Sequence, residues 1–119
     1  YSPPHNNRGI IYAQQGRHKQ ALQEYNRAIE IDPDNLYAHN SRGRHHLLRG
    51  KNPELALQDF ERAVQLDRNY AVSFANRGFA YQKLGKKKEA LADFEMALKL
   101  NVTPEQKALL MKEIRKLRR

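Results

Sequence analysis

Five histidines, thirteen carboxylates and twenty-two lysines and arginines are the groups in this 119-residue chain that could do chemistry. His39 and His46 are seven residues apart, so on a helix they share one face. Imidazoles so placed could hold a metal ion. Gly43 sits on the same face, which marks it as the packed face, so these two histidines read as core-filling side chains. The others, His5, His18 and His45, form no ligand pattern with them. No carboxylate triplet, glycine-rich phosphate loop or nucleophile motif is present. The chain has no cysteine, which removes a disulfide framework and any thiolate zinc site. Lys86-Lys87-Lys88 follows Gly85 and reads as a solvated turn. The expectation is a non-catalytic chain with no metal and no cofactor.

The bulk numbers narrow the remaining classes. A chain of this length suggests one domain, burying roughly 65% of its unfolded surface. No apolar run approaches the roughly 20 residues needed to span a bilayer, and no signal peptide is visible at Tyr1. A soluble protein is expected, with the cytoplasm as the default compartment. The net charge of +9 is concentrated toward one end. Residues 1–35 hold four basic and four acidic groups, whereas residues 105–119 hold six and two. A basic end favours an acidic partner.

These groups are positioned by a repeat. HNNRGIIYAQQG begins at His5, HNSRGRHHLLRG at His39 and FANRGFAYQKLG at Phe74. Gly9, Gly43 and Gly78 are 34 and 35 residues apart, and Ala21, Ala56 and Ala90 are 35 and 34 apart. A fixed period of this length signals stacked supersecondary units. The extra residue of the middle unit falls between Gly43 and Ala56, within Gly50-Lys51-Asn52-Pro53. Each unit reads as two helices. The first is ended by Gly16, Gly50 or Gly85, since glycine takes the left-handed backbone cheaply. The second carries an apolar stripe: Leu22, Tyr25, Ala28 and Ile29, then Leu57, Phe60, Ala63 and Val64, then Leu91, Phe94, Ala97 and Leu98. Asn52 and Pro53 are a good cap and first residue. Asp32-Pro33-Asp34 closes the first unit as a turn.

Gly9, Gly43 and Gly78 sit mid-helix, where glycine costs about 1 kcal/mol relative to alanine. Close approach of the partner helix offsets that cost, with Ala21, Ala56 and Ala90 opposite. Tyr25, Phe60 and Phe94 then fill the gap beside them. The last segment opens with Thr103, Pro104 and Gln106, a capping box with a first-turn proline. Leu110, Ile114 and Leu117 form its apolar stripe, and Lys112 stands where a further unit needs glycine. It reads as a helix that covers the exposed end of the array.

This pattern resembles the tetratricopeptide (TPR) repeat over residues 2–104. Gly9, Tyr12, Ala21, Tyr25, Ala28 and Pro33 carry the likeness in the first unit, Gly43, Ala56, Phe60 and Ala63 in the second, and Gly78, Tyr81, Ala90, Phe94 and Ala97 in the third. The resemblance implies an all-α, right-handed α–α superhelix of three helix-turn-helix units, 2–35, 36–70 and 71–104, with a capping helix over 105–119. Departures are His46 in place of tyrosine, Arg68 and Val102 in place of proline, and His5, His39 and Phe74 in place of tryptophan. They predict a somewhat looser middle unit.

The resemblance also implies a protein-interaction scaffold whose first helices line a concave, peptide-binding groove. Groove positions are spaced three or four apart. They are Pro3, Asn6, Ile10, Ala13 and Gln14, then Tyr37, Asn40, Arg44, Leu47 and Leu48, then Val72, Ala75, Phe79, Gln82 and Lys83. Ile10, Tyr37, Leu48 and Phe79 are costly choices for a merely solvated face. Beside them, Asn7, Ser41 and Asn76 partly resemble the asparagine ladder of TPR superhelices, since a side-chain amide can pair with a peptide backbone at both donor and acceptor. Asn6, Asn7, Ile10, Tyr37, Asn40, Ser41, Arg44, Leu48, Asn76, Phe79 and Lys83 are therefore the candidate site, and the expected partner is an acidic protein segment.

One TPR subclass grips the terminal carboxylate of heat-shock chaperones through lysine, asparagine and arginine side chains. At those positions this chain has Asn6, Ile10, Ser41, Val72 and Asn76, none of which matches, so binding of that type is not expected. Arg8, Arg42 and Arg77 recur in register with Glu24, Asp59 and Asp93, predicting a structural arginine–carboxylate pair in each unit. Two alternatives stand beside the groove. One is nucleic-acid or anionic-surface binding through Lys107, Lys112, Arg115, Lys116, Arg118 and Arg119, although that segment lacks aromatic stacking residues. The other is homo-oligomeric assembly through the array ends.

Overall fold

The computed structural model describes residues 4–119, so Pro3 of the expected stripe lies outside the described residues. It contains seven α-helices: α1 (His5–Gln14), α2 (His18–Ile31), α3 (Leu36–Leu48), α4 (Pro53–Leu66), α5 (Ala71–Lys83), α6 (Lys87–Leu98) and α7 (Pro104–Leu117). The described residues include no strand. No helix among them is long and apolar enough to cross a membrane. The fold is an all-α helical-repeat solenoid, 47 × 27 × 23 Å in extent.

Local chemistry sets the helix ends. Asn35 caps α3 by accepting from Ala38 N–H at 3.2 Å, and Asn52 caps α4 by accepting from Leu55 N–H at 3.2 Å. At α7 the capping box is complete: Thr103 Oγ1 accepts from Gln106 N–H at 3.1 Å, and Gln106 Oε1 accepts from Thr103 N–H at 2.9 Å. Gly16 (φ 79°) and Gly85 (φ 75°) adopt the left-handed backbone after α1 and α5. In the middle unit the expectation for Gly50 fails. Lys51 takes the left-handed conformation instead, at φ 48°. The extra residue lengthens this connection, so the chain reverses one position later.

Each helix packs on its neighbour in sequence, and α1 also meets α3 while α3 meets α5. The odd-numbered helices therefore form one layer, and the array bends toward it. A Cβ on Gly9, Gly43 or Gly78 would lie 2.5, 2.5 or 2.6 Å from a ring carbon of Tyr25, Phe60 or Phe94. Glycine is needed there because the aromatic ring occupies the space of its side chain. Ala21, Ala56 and Ala90 are completely buried on the opposing helices. Phe60 and Phe94 are also completely buried, which contributes roughly 1.5–3 kcal/mol each. The middle unit is not visibly looser. Its Ala56, Phe60 and Ala63 have no exposed surface, and His39 is tied by Nε2 to the Pro33 carbonyl at 2.8 Å.

Candidate functional site

The concave layer carries two adjoining recesses. The first, about 370 Å³, lies between α1, α2 and α3 and is lined by residues that include Ile10, Ser41, Arg44 and Leu48. The second, about 400 Å³, lies between α3, α5 and α7, and Arg44, Leu48, Asn76, Phe79 and Lys83 are among its walls. Arg44 and Leu48 border both. They are four residues apart on α3, so they stand one above the other as a dividing ridge. Leu48 is 58% exposed on that ridge and Ile10 38% exposed in the first recess, although solvated apolar groups gain nothing from water.

Four candidate residues lie away from both recesses. Asn40 is buried, donating from Nδ2 to Ser73 Oγ at 2.9 Å and accepting at Oδ1 from Asn76 Nδ2 at 3.3 Å. Its amide links α3 to α5, and it holds Asn76 rather than facing the groove. Asn6 is buried too, whereas Asn7 is exposed but borders neither recess. Tyr37, on the first turn of α3, packs its ring edge-on against Tyr70 at 5.8 Å.

Other lining residues fall outside the expected set. Val102, Gln106, Leu109 and Leu110 make α7 and its approach a wall of the second recess. A bond from Gln82 Nε2 to Glu113 Oε1, at 3.1 Å, fixes that wall to α5. The signal for it is Leu109, an apolar residue left over from the Leu110–Ile114–Leu117 stripe and 48% exposed. In the first recess, His18 and Tyr25 of α2, His45 of α3 and Arg49 just after it also fall outside the expected groove.

The two recesses share one electrical feature. No carboxylate lines either one. Arg44, Arg49 and Lys83 form no ion pair among the described residues. Burial lowers the pKa of His45, and the nearby His46, His18 and Arg49 lower it further. Burial raises the Tyr25 phenol, against the opposing pull of Arg44.

Away from the groove, the expected arginine–carboxylate pairs are present. Arg42 grips Asp59 through two bonds of 2.9 and 2.7 Å, and Arg77 grips Asp93 through two of 2.8 Å. Arg8 Nε lies 3.2 Å from Glu24, which His5 also engages at 2.7 Å. Among the described residues, no group of three or more His, Cys, Asp or Glu side chains could hold a metal ion. At the end of α7, Arg118 pairs with Glu95 at 2.8 Å, and on α7 Lys116 pairs with Glu113 at 3.3 Å, which ties up part of the basic end.

Residues 9–50 match a family model described as TPR repeat, and residues 71–103 match one described as tetratricopeptide repeat. Several solved structures are similar. The second TPR domain of the human RPAP3 protein, in complex with the HSP70 peptide SGPTIEEVD, is 31% identical with a TM-score of 0.84, over 98% of this chain and 93% of that one. The first TPR of Spaghetti (RPAP3), bound to the HSP90 peptide SRMEEVD, is 29% identical with a TM-score of 0.86, over 95% and 86%. The second TPR of Spaghetti, bound to the same peptide, is 34% identical with a TM-score of 0.77, over 82% and 84%. No match was found among curated proteins.

Proposed function

We propose that this chain, which belongs to the tetratricopeptide repeat family, is a non-catalytic interaction scaffold that takes an acidic peptide segment of a partner protein in its concave groove. The observation that carries this reading is the pairing of exposed apolar groups with unpaired cations in a groove that no carboxylate lines. Apolar side chains of the segment would enter beside Phe79 and Leu110, and its acidic side chains would meet Arg44 and Lys83. Asn76, held by Asn40, keeps its carbonyl oxygen for a backbone N–H. The similar RPAP3 structures hold acidic peptides, which fits the charge of this groove.

The test compares nuclease-treated capture from source lysate by the native chain and by the Arg44→Glu plus Asn76→Ala variant, read by mass spectrometry. A protein held by the native chain and lost by the variant is expected. Equal retention by both would overturn the groove reading. The same reading expects no dependence on a terminal carboxylate. Affinity for SGPTIEEVD that disappears when its C-terminus is amidated would contradict that part.

A further inference from the structure

We propose that the recess between α1, α2 and α3 is an oxyanion subsite for a phosphorylated side chain of the bound peptide. The proposal rests on the groove reading above and adds the identity of one of its ligand groups. Arg44, Arg49, His18 and His45 converge on this recess, with Ser41 and Gln14 as further hydrogen-bond donors. α2 also begins at His18 without a capping side chain, so unsatisfied N–H groups lie at that end of the helix.

The charges around the recess come from each packed element. From α1 come Ile10, Ala13 and Gln14, none of them titratable. From α2 come His18 and Tyr25, α3 supplies Arg44 and His45, and Arg49 follows at the end of α3. His46 of α3 stands beside His45, ring centres 5.7 Å apart. On α4, Asp59 lies 4.0 Å behind His46 and is gripped by Arg42. The recess therefore collects positive and proton-accepting groups without a counter-charge in its lining. The lowered proton affinity of His45 follows from burial and then from these neighbours.

The chemistry favours a phosphoryl group over a carboxylate. One guanidinium can satisfy a carboxylate through two parallel bonds, and Arg44 alone suffices for that. A phosphoryl group brings close to two negative charges and three strong acceptor oxygens. That charge compensates two arginines and draws a proton onto a neighbouring imidazole. Its acceptors match the fan of donors supplied by Arg44, Arg49, His18 and Ser41.

The experiment titrates the full chain with N-acetyl-phosphoserine amide and, separately, N-acetyl-glutamate amide at matched ionic strength. Histidine ring signals are followed by NMR across pH. Saturable shifts of the His18 and His45 ring signals are expected, with the His45 titration midpoint moved upward and the phosphorylated probe at least about tenfold tighter. Arg44→Gln plus Arg49→Gln should abolish the response while leaving the circular dichroism spectrum unchanged, since both residues are exposed. Equal responses to the two probes, no saturation, or a response that survives the double variant would overturn the proposal. No partner protein enters this test, so its failure leaves the lysate comparison of the groove standing or falling on its own.

Discussion

The middle and last units solve the same packing problem with different neighbours. In both, an arginine on the first helix grips a buried aspartate on the second through two hydrogen bonds. In the last unit the Arg77 guanidinium lies 5.6 and 5.9 Å from the ring centres of Phe74 and Tyr81. In the middle unit those ring positions are His39 and His46, which approach Asp59 to 3.5 and 4.0 Å. The last unit shields its ion pair with rings that cannot titrate near neutrality. The middle unit places His46 there, an imidazole whose pKa burial lowers. The ion-pair geometry is the same in both, and a difference in pH response is the expectation tested below.

The largest expected effect tests the shared part. Phe60→Ala and Phe94→Ala should each cost about 3–5 kcal/mol, by denaturant unfolding at pH 7. A much smaller cost for Phe60→Ala would reveal the looser middle unit that the structure does not show. The next effect separates the units. Arg77→Leu strands a buried Asp93 and should cost about 3 kcal/mol. Arg42→Leu should cost less, because the imidazoles of His39 and His46 remain beside Asp59. Equal losses would mean that the histidines do not compensate. Arg77→Leu that kept full stability yet sharply weakened ligand binding would move this arginine from the scaffold into the site.

A smaller effect is the pH dependence. Burial lowers the pKa of His46, with Arg42 adding to it and Asp59 opposing, and His45 is lowered too. Below the ordinary histidine value the unfolded chain binds more protons than the folded one, so stability falls as the medium becomes more acidic. Asp59 adds nothing in this window. Burial raises its pKa, but His39 and Arg42 more than offset that, so its contribution is lost only below the ordinary aspartate range. The melting temperature should drop by a few degrees between pH 7.5 and pH 5.5. His46→Tyr, which copies the last unit, should flatten that slope. The smallest effect concerns the turns. Gly85→Lys should cost about 1 kcal/mol, whereas Lys51→Gly should change stability by less than about 1 kcal/mol.

Most of the fold was legible because its determinants are local and repeated. Glycine, alanine and an aromatic recur where two helices must touch, and Thr103 with Gln106 announces α7. The groove was legible only as far as one helix face can be read. Spacing placed Ile10, Arg44, Leu48, Phe79 and Lys83 on a common stripe, and these border the recesses. It could not decide that Asn40 turns inward to Ser73, because the packed and groove faces are separated by about one residue's rotation. Tyr37 lies on the same stripe but at the helix start, where Tyr70 claims it. The α7 wall depends on how a non-repeating helix docks, which no period encodes.

The ridge made by Arg44 and Leu48 also acts as a ruler. It runs along α3, with one recess on each side, so a segment that enters both crosses the helix over its width of about 10 Å. An extended strand advances about 3.3 Å per residue. A segment seated in both recesses therefore needs about three residues to cross the ridge. That spacing, rather than composition alone, separates sequences that fill one basin from those that fill both.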